Sequence, residues 1–392
     1  MSAKLVKTAL LGSALMLAPS ASGAEARGLT VLHSFVGGAG DGAGPLGGVA
    51  PAGGANFYVA TDGGGSANLG TLTLLHKDGT SQVLHSFSGG TDGQNADGTP
   101  LVWSSFDHNV YGTTQFGGSA GCGTLYKFTP SSGAYQQIYA AQCAPDGAFP
   151  FAGLSDTGSG YLLGTGYDGG EVGDGTTFFV RTDGGAGASC NTGSFSSTSG
   201  SHPFAGIIPA NGNLYTVTTA GGAKNLGTIV EINSANCSPT VLHNFAGGSD
   251  GAAAYGPLLF HKGVLFGTTA NGGTTGLGTV FRINPDGSGY SVLHTFQGIC
   301  CGSDGSFPHS GLTYNKSDGM LYGTTINGGN AKDLGAIYKI DPNNGAESVV
   351  YSFSGSDGAH PYGNLYIKKG KVYGTTVQGG VSNLGVVFRL RP

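Results

Sequence analysis

Between residues 58 and 390 the apolar positions fall in short runs rich in Val, Thr, Tyr, Phe and Ile, and glycines separate these runs at recurring places. That alternation of β-formers with turn residues predicts strands, and no long helical pattern competes with it. One run carries the phrasing most plainly, LFGTTANGGTTGLGTVFRI at residues 265–283, and variants of it occur seven times. In each, an aromatic or Leu residue is followed six residues later by a Gly pair, from Tyr58 with Gly64 and Gly65 to Tyr373 with Gly379 and Gly380. Successive pairs lie 53, 52, 52, 51, 56 and 51 residues apart, a period that signals a repeat architecture built from strands.

Each unit reads as four strands. In the sixth unit the first follows the Asp304-Gly305 turn and Pro308, the second is the run 321–325, the third 335–340 and the fourth 349–353. Short Gly-rich links make these an antiparallel meander. Pro45, Pro100, Pro150, Pro203, Pro257, Pro308 and Pro361 open the units, a place that suits strand entry because Pro has no N–H for a sheet ladder. Asp-Gly precedes six of the seven, at Asp41, Asp92, Asp146, Asp250, Asp304 and Asp357, which is explained by a side chain bonding its own turn. Units two and three have weak fourth strands and are expected to form the loosest blade edges. The chain starts with a lone fourth strand at residues 31–35 and closes with a third strand at 386–390 that lacks a fourth. Pairing these two closes a ring and leaves no incomplete blade, so the expectation is an all-β, seven-bladed β-propeller over residues 29–392 whose N-terminal strand closes the last blade.

The recurring phrases LYGTTxxGG, LGTVFRI, VLHSF and DGxxPxxGL resemble the GloVer tandem-repeat family of exported bacterial proteins over nearly all of residues 29–392. The resemblance implies a secreted repeat protein, often tethered to the surface by a C-terminal sorting segment. Here the chain ends on a strand at Pro392, and no such anchor is expected. A more distant similarity is to kelch propellers, which also place a Gly pair after an aromatic second strand. The regular kelch Trp is missing, since the single Trp is Trp103.

Composition changes this picture little. Gly and Pro make up 93 of 392 residues, but with a period, so the bias reflects turns rather than low complexity. Lys4 and Lys7 precede an apolar run at residues 9–18 and small residues follow, which reads as a signal peptide of residues 1–24 cleaved after Ala24 or Ala26. The run is shorter than a spanning helix needs, and no second apolar stretch follows, so the mature chain is expected to be secreted or periplasmic, without a membrane span, and monomeric. The formal net charge is −5 with no basic cluster, which argues against nucleic-acid binding. Six cysteines in an exported chain read as structural bridges. Cys122 and Cys143 lie in loops sharing a face and are expected to pair; Cys190 with Cys237 is a weaker candidate, and Cys300 and Cys301 are a vicinal bridge or a free pair.

Candidate chemistry is sparse. His33, His85, His243 and His294 occupy one position of the fourth strand, and four equivalent copies suit a bond to a neighbouring Thr or turn Asp better than proton transfer. Residues that break the repeat are more informative. The second-to-third loops and the blade-to-blade links emerge together beside the central opening. There His202 and His360 precede a unit-opening Pro, while His309 and Tyr362 follow one. These imidazoles could serve as ligand donors, metal ligands or a base. The loop 167–174 holds Asp168, Glu171 and Asp174, three carboxylates able to give oxygen ligands to calcium, though without EF-hand spacing. A binding or scaffold module for an extracellular polysaccharide or surface protein is the leading expectation. The alternative is a polysaccharide lyase or hydrolase with His202, His309 or His360 as base and Tyr362 or Tyr255 as acid.

Overall fold

The computed structural model describes residues 28–96, 101–144, 147–185, 193–301 and 304–392, with the side chains of 300 and 301 excepted. The signal-peptide expectation, Pro100, Asp146 and Cys190 lie outside those residues. Seven four-stranded antiparallel sheets are arranged as blades. Blade 6 is typical, with Thr313–Asn315, Met320–Thr325, Ala336–Ile340 and Glu347–Ser352 running from the axis outward. Blade 7 joins Tyr366–Lys368, Lys371–Thr376 and Val386–Arg391 to the N-terminal strand Gly28–Ser34. Its register sets Val31 opposite Phe388 and Ser34 opposite Val386, so the ring closes as expected.

The repeated phrases are pairs of contacts. A Cβ on Gly323 of the second strand would fall 2.4 Å from the Tyr338 hydroxyl of the third strand, so the Gly of LYGTT makes room for the aromatic of the neighbouring phrase. The same relation holds between Gly267 and Phe281 and between Gly374 and Phe388. The first Gly of the pair, Gly328, sits at φ 84°, and a Cβ there would meet the Cα of Gly305 at 2.3 Å. Asp-Gly and Gly-Gly are therefore two halves of one backbone contact, which only glycine permits. The fourth-strand Phe supplies the core between blades: Phe35, Phe87, Phe195, Phe245, Phe296 and Phe353 are at most 1% exposed. Phe353 packs on Val386 and Phe388 of the next blade. Each such ring stabilises the ring of blades by roughly 2 kcal/mol.

Several expectations need correction. The innermost strands are two or three residues long, and in blades 1, 3, 4, 6 and 7 they begin five residues after the proline, as Thr313 does after Pro308. The intervening backbone runs so close to its neighbour that a Cβ on Gly311 would lie 2.6 Å from the Pro257 carbonyl, which rules out ladder pairing there. The prolines thus do not enter strands. Pro308 instead lies over Gly278, the residue that opens the third strand of blade 5. Pro257 is out of register as well. Ala254 holds the equivalent place, because Ala253 and Phe307 make the same backbone bond to the preceding blade, at 2.9 Å each. In blade 2 the outer strand Ala134–Ala140 is complete and pairs along its length, so it is no weak edge. Blade 3 keeps only Gly193–Ser194 as its described outer strand.

Cys122 and Cys143 form a disulfide with Cα atoms 5.3 Å apart. They join the second-to-third loop of blade 2 to the following link, where Ala141 replaces the buried Phe and packs with Cys122 and Ala148. Closing this 21-residue span removes about 3 kcal/mol of chain entropy from the unfolded state. Cys237 is also disulfide-bonded.

Candidate functional site

Every blade-to-blade link crosses one face and turns toward the axis at a residue in the left-handed region. These residues are Gly44, Asn95, Phe149, His202, Ala253, Phe307 and His360, at φ 54–63°. Each N–H donates to a carbonyl of the preceding blade at 2.8–2.9 Å, so the turn clasps neighbouring blades together. A left-handed conformation costs a non-glycine residue of order 1 kcal/mol, and the clasp with the packed axis offsets it. The link also bridges the second-to-third loop of its own blade, as between Ser306 and Asn327 or Ala359 and Gln378. Both loop types therefore share the face beside the central opening.

Two residues past each left-handed turn the side chains stand next to one another around the axis. From blade 3 to blade 7 they are Phe151, Phe204, Tyr255, His309 and Tyr362. Phe151 and Phe204 stack with centroids 5.1 Å apart, and Phe204 meets Tyr255 edge-on at 5.3 Å. Tyr255 stacks on His309 at 4.2 Å, and His309 meets Tyr362 edge-on at 5.1 Å. All five are half-buried. Deeper along the axis the same entry segments line a cavity of about 230 Å³, bordered by Leu154, Ser155, Ile208, Leu258, Leu312 and Asn364. On the opposite face a hollow of about 400 Å³ lies beside Phe106, Tyr161 and Arg181.

Of the residues singled out from sequence, Tyr255, His309 and Tyr362 come together in this arc. His202 and His360 do not join it; both are the left-handed residue of their link. The His202 ring lies 4.9 Å from Tyr167, with its Nε2 3.5 Å from Asp168 Oδ1. The His360 Nδ1–H donates to the Ile326 carbonyl at 3.0 Å. Phe151, Phe204 and Tyr167 escaped the sequence reading, which searched the face for titratable groups. The signal was present, since Phe151 and Phe204 follow Pro150 and Pro203 as His309 follows Pro308.

Electrostatics makes the arc a poor proton relay. Burial pushes the His309 imidazole down to about 4, and its Nδ1 is buried without a hydrogen-bond partner among the described residues. A neutral ring so weakly basic gives little general-base power at neutral pH. Burial, with the adjacent Tyr255 adding to it, moves the Tyr362 phenol upward. What the arc offers instead is a continuous run of aromatic faces with hydroxyl and imidazole edges.

The repeated histidines bond the turn carboxylates, as expected. His33, His85, His243 and His294 place Nε2 3.0–3.1 Å from the turn carboxylates of Asp41, Asp92, Asp250 and Asp304. The same carboxylates accept backbone N–H groups of the turn, as Asp41 does from Val36 at 2.9 Å. Burial opposes ionisation of Asp41, but the His33 and Val36 bonds outweigh it and hold its carboxyl below the usual range. Asp168, Glu171 and Asp174 do not converge: Asp168 turns to His202, Glu171 is exposed, and the Asp174 carbonyl accepts the His202 N–H. Among the described residues a different trio, His294, Asp304 and Glu347, holds three donor atoms within 4.8 Å of one another.

Blades of this construction, with a shared loop face around the axis, define the class of tandem-repeat β-propellers. The chain belongs to the Gloeobacter/Verrucomicrobia repeat family, whose description matches residues 20–192 and 183–388. No curated protein sequence matches it. Among solved structures it is similar to an oligogalacturonate lyase of Vibrio parahaemolyticus, at 9% identity and TM-score 0.52 over 93% of both chains. It is also similar to the extracellular domain of a protein described as a one-component system from B. thetaiotaomicron, at 14% identity and TM-score 0.54, covering 93% of this chain and 42% of that one. A third likeness, at 12% identity and TM-score 0.50, is to an oligogalacturonate lyase in complex with manganese, over 86% of this chain and 85% of that one. At these identities the likeness shows the fold alone. No helix among the described residues is long and apolar enough to cross a membrane.

Proposed function

We propose that this propeller is an exported, non-catalytic binding module that takes an extracellular glycan across the aromatic arc at its central opening. The observation that carries the reading is the unbroken series Phe151, Phe204, Tyr255, His309 and Tyr362, placed where the repeat otherwise varies freely. Sugar rings have apolar C–H faces and hydroxyl rims. Aromatic faces cover the former, and the edges of Tyr255, Tyr362 and His309 bond the latter. Export is supported by the basic-then-apolar N-terminal segment and by the disulfide, which persists in oxidising compartments. A lyase or hydrolase reading has the fold likeness behind it, but His309 and Tyr362 are tuned away from acid–base work at neutral pH.

A panel of acidic and neutral polysaccharides, scored both for retention on the immobilised protein and for new reducing or unsaturated ends, separates the two. Retention without cleavage is the expected result. New chain ends would establish the enzyme, and retention of none of the glycans would turn the search to surface proteins.

A further inference from the structure

The boundary between blades 5 and 6 differs in one residue from two boundaries that share its His–Asp pair. At the boundary of blades 1 and 2, Tyr135 on the outer strand stacks flat on His85, with centroids 3.6 Å apart and its hydroxyl donating to the Asp92 carbonyl at 3.2 Å. At the boundary of blades 4 and 5, Tyr290 does the same on His243 at 3.7 Å, and its hydroxyl donates to the Asp250 carbonyl. Sheet register gives this position to the residue opposite Phe128 in blade 2, and the residue opposite Ile340 in blade 6 is Glu347. A carboxylate therefore replaces a stacked phenol beside an existing His–Asp pair. Glu347 Oε1 is buried and has no hydrogen-bond partner among the described residues.

Two carboxylates brought together repel one another, and a buried acceptor without a donor is unfavourable, so the arrangement calls for a positive partner. The remaining geometry is that of ligands already held in place. Asp304 Oδ1 accepts the Gln297 and Gly298 N–H groups at 2.9 Å each, and Oδ2 shares the Gln297 N–H at 3.1 Å while facing His294 Nε2 at 3.0 Å, so the carboxylate is fixed with Oδ2 turned to the imidazole. The His294 ring is held edge-on to Phe296 at 4.9 Å. Such outer partners are what orient first-row metal ligands.

We propose that His294 Nε2, Asp304 Oδ2 and a Glu347 carboxylate oxygen form a site for one divalent first-row transition ion, bridging blades 5 and 6. One imidazole with two carboxylates suits zinc or manganese, whereas calcium prefers an all-oxygen shell. The site lies where two outer strands meet the link turn of Asp304, shares no residue with the aromatic arc, and is independent of the glycan reading.

The test is titration calorimetry of full-length protein, purified without a His-tag and stripped with a chelator, against zinc, manganese and calcium in turn. The expected result is one zinc or manganese ion per chain and no stoichiometric calcium. Glu347→Gln should weaken that binding at least tenfold. Glu347→Tyr installs the residue found at the boundaries of blades 1 and 2 and of blades 4 and 5, so it should fold and bind no ion, which keeps the test decisive if the Gln variant proves unstable. An unloaded wild type, calcium bound in preference, or undiminished binding in the folded Tyr variant would each overturn the assignment.

Discussion

His309 shows how one residue can belong to two accounts at once. Seen as an imidazole beside the opening, it invites a role as base; between Tyr255 and Tyr362 it is an aromatic ring first and a titratable group second. Its depressed basicity has a consequence for stability. Burial lowers the folded-state value from 6.5 to about 4, so the contribution of the neutral ring is fully present above pH 6.5 and is lost as pH falls toward 4, where the unfolded chain takes the proton first. His309→Phe keeps the stacked ring without the proton site. Urea unfolding across that window should show a flatter pH dependence for the variant than for wild type, and identical slopes would refute the assigned burial. Gly305 and Gly328 make the complementary point that a residue without a side chain carries much of the repeat, since a Cβ on Gly328 would strike Gly305 and a Cβ on Gly305 would strike the Thr325 side chain.

Strands were legible in the sequence where they bury an aromatic against a glycine. The second, third and fourth strands of blade 6 were all anticipated, because Gly323, Tyr338 and Phe353 recur in register. The innermost strand was anticipated but set too early, since it begins at Thr313. Its entry looks like a strand in composition, but Ser310 and Gly311 lie against the backbone of the neighbouring blade, a contact between units that no single unit displays. Pro257 misled for a related reason, as its spacing from Asp250 differs from that of Pro308 from Asp304 by three residues. The N-terminal strand was read correctly from incompleteness at the two ends, and it is more than an edge cover, for Phe35 just beyond it is 1% exposed against Val387 and Leu384. Removing residues 28–35 should cost at least the roughly 3–5 kcal/mol of one buried Phe, broaden the thermal transition and expose blade 7 to protease. A deletion variant with an unchanged, sharp transition would show that closure does not rest on this strand.

For the whole molecule, sevenfold repetition means that most conspicuous residues explain the ring and few explain what it does. The glycine contacts and the left-handed turns serve every blade alike, and the His–Asp pairs serve four of the boundaries. Direction comes from the arc, which runs over blades 3 to 7 and gives the face one aromatic side. The sequence reading reached Tyr255, His309 and Tyr362 yet missed Phe151 and Phe204, because it sought groups that titrate, while a surface that stacks needs none. The claim that this arc is where a ligand sits is tested most directly by calorimetric titration of the best-retained polysaccharide against wild type, Phe204→Ala, Tyr255→Ala and Phe106→Ala. Phe106 is an exposed aromatic on the opposite face, at 57% accessibility. Loss of a central aromatic anchor costs about 2 kcal/mol, so each arc variant should bind roughly 30-fold more weakly while Phe106→Ala matches wild type. Undiminished binding by both arc variants, or its loss in Phe106→Ala alone, would contradict the account.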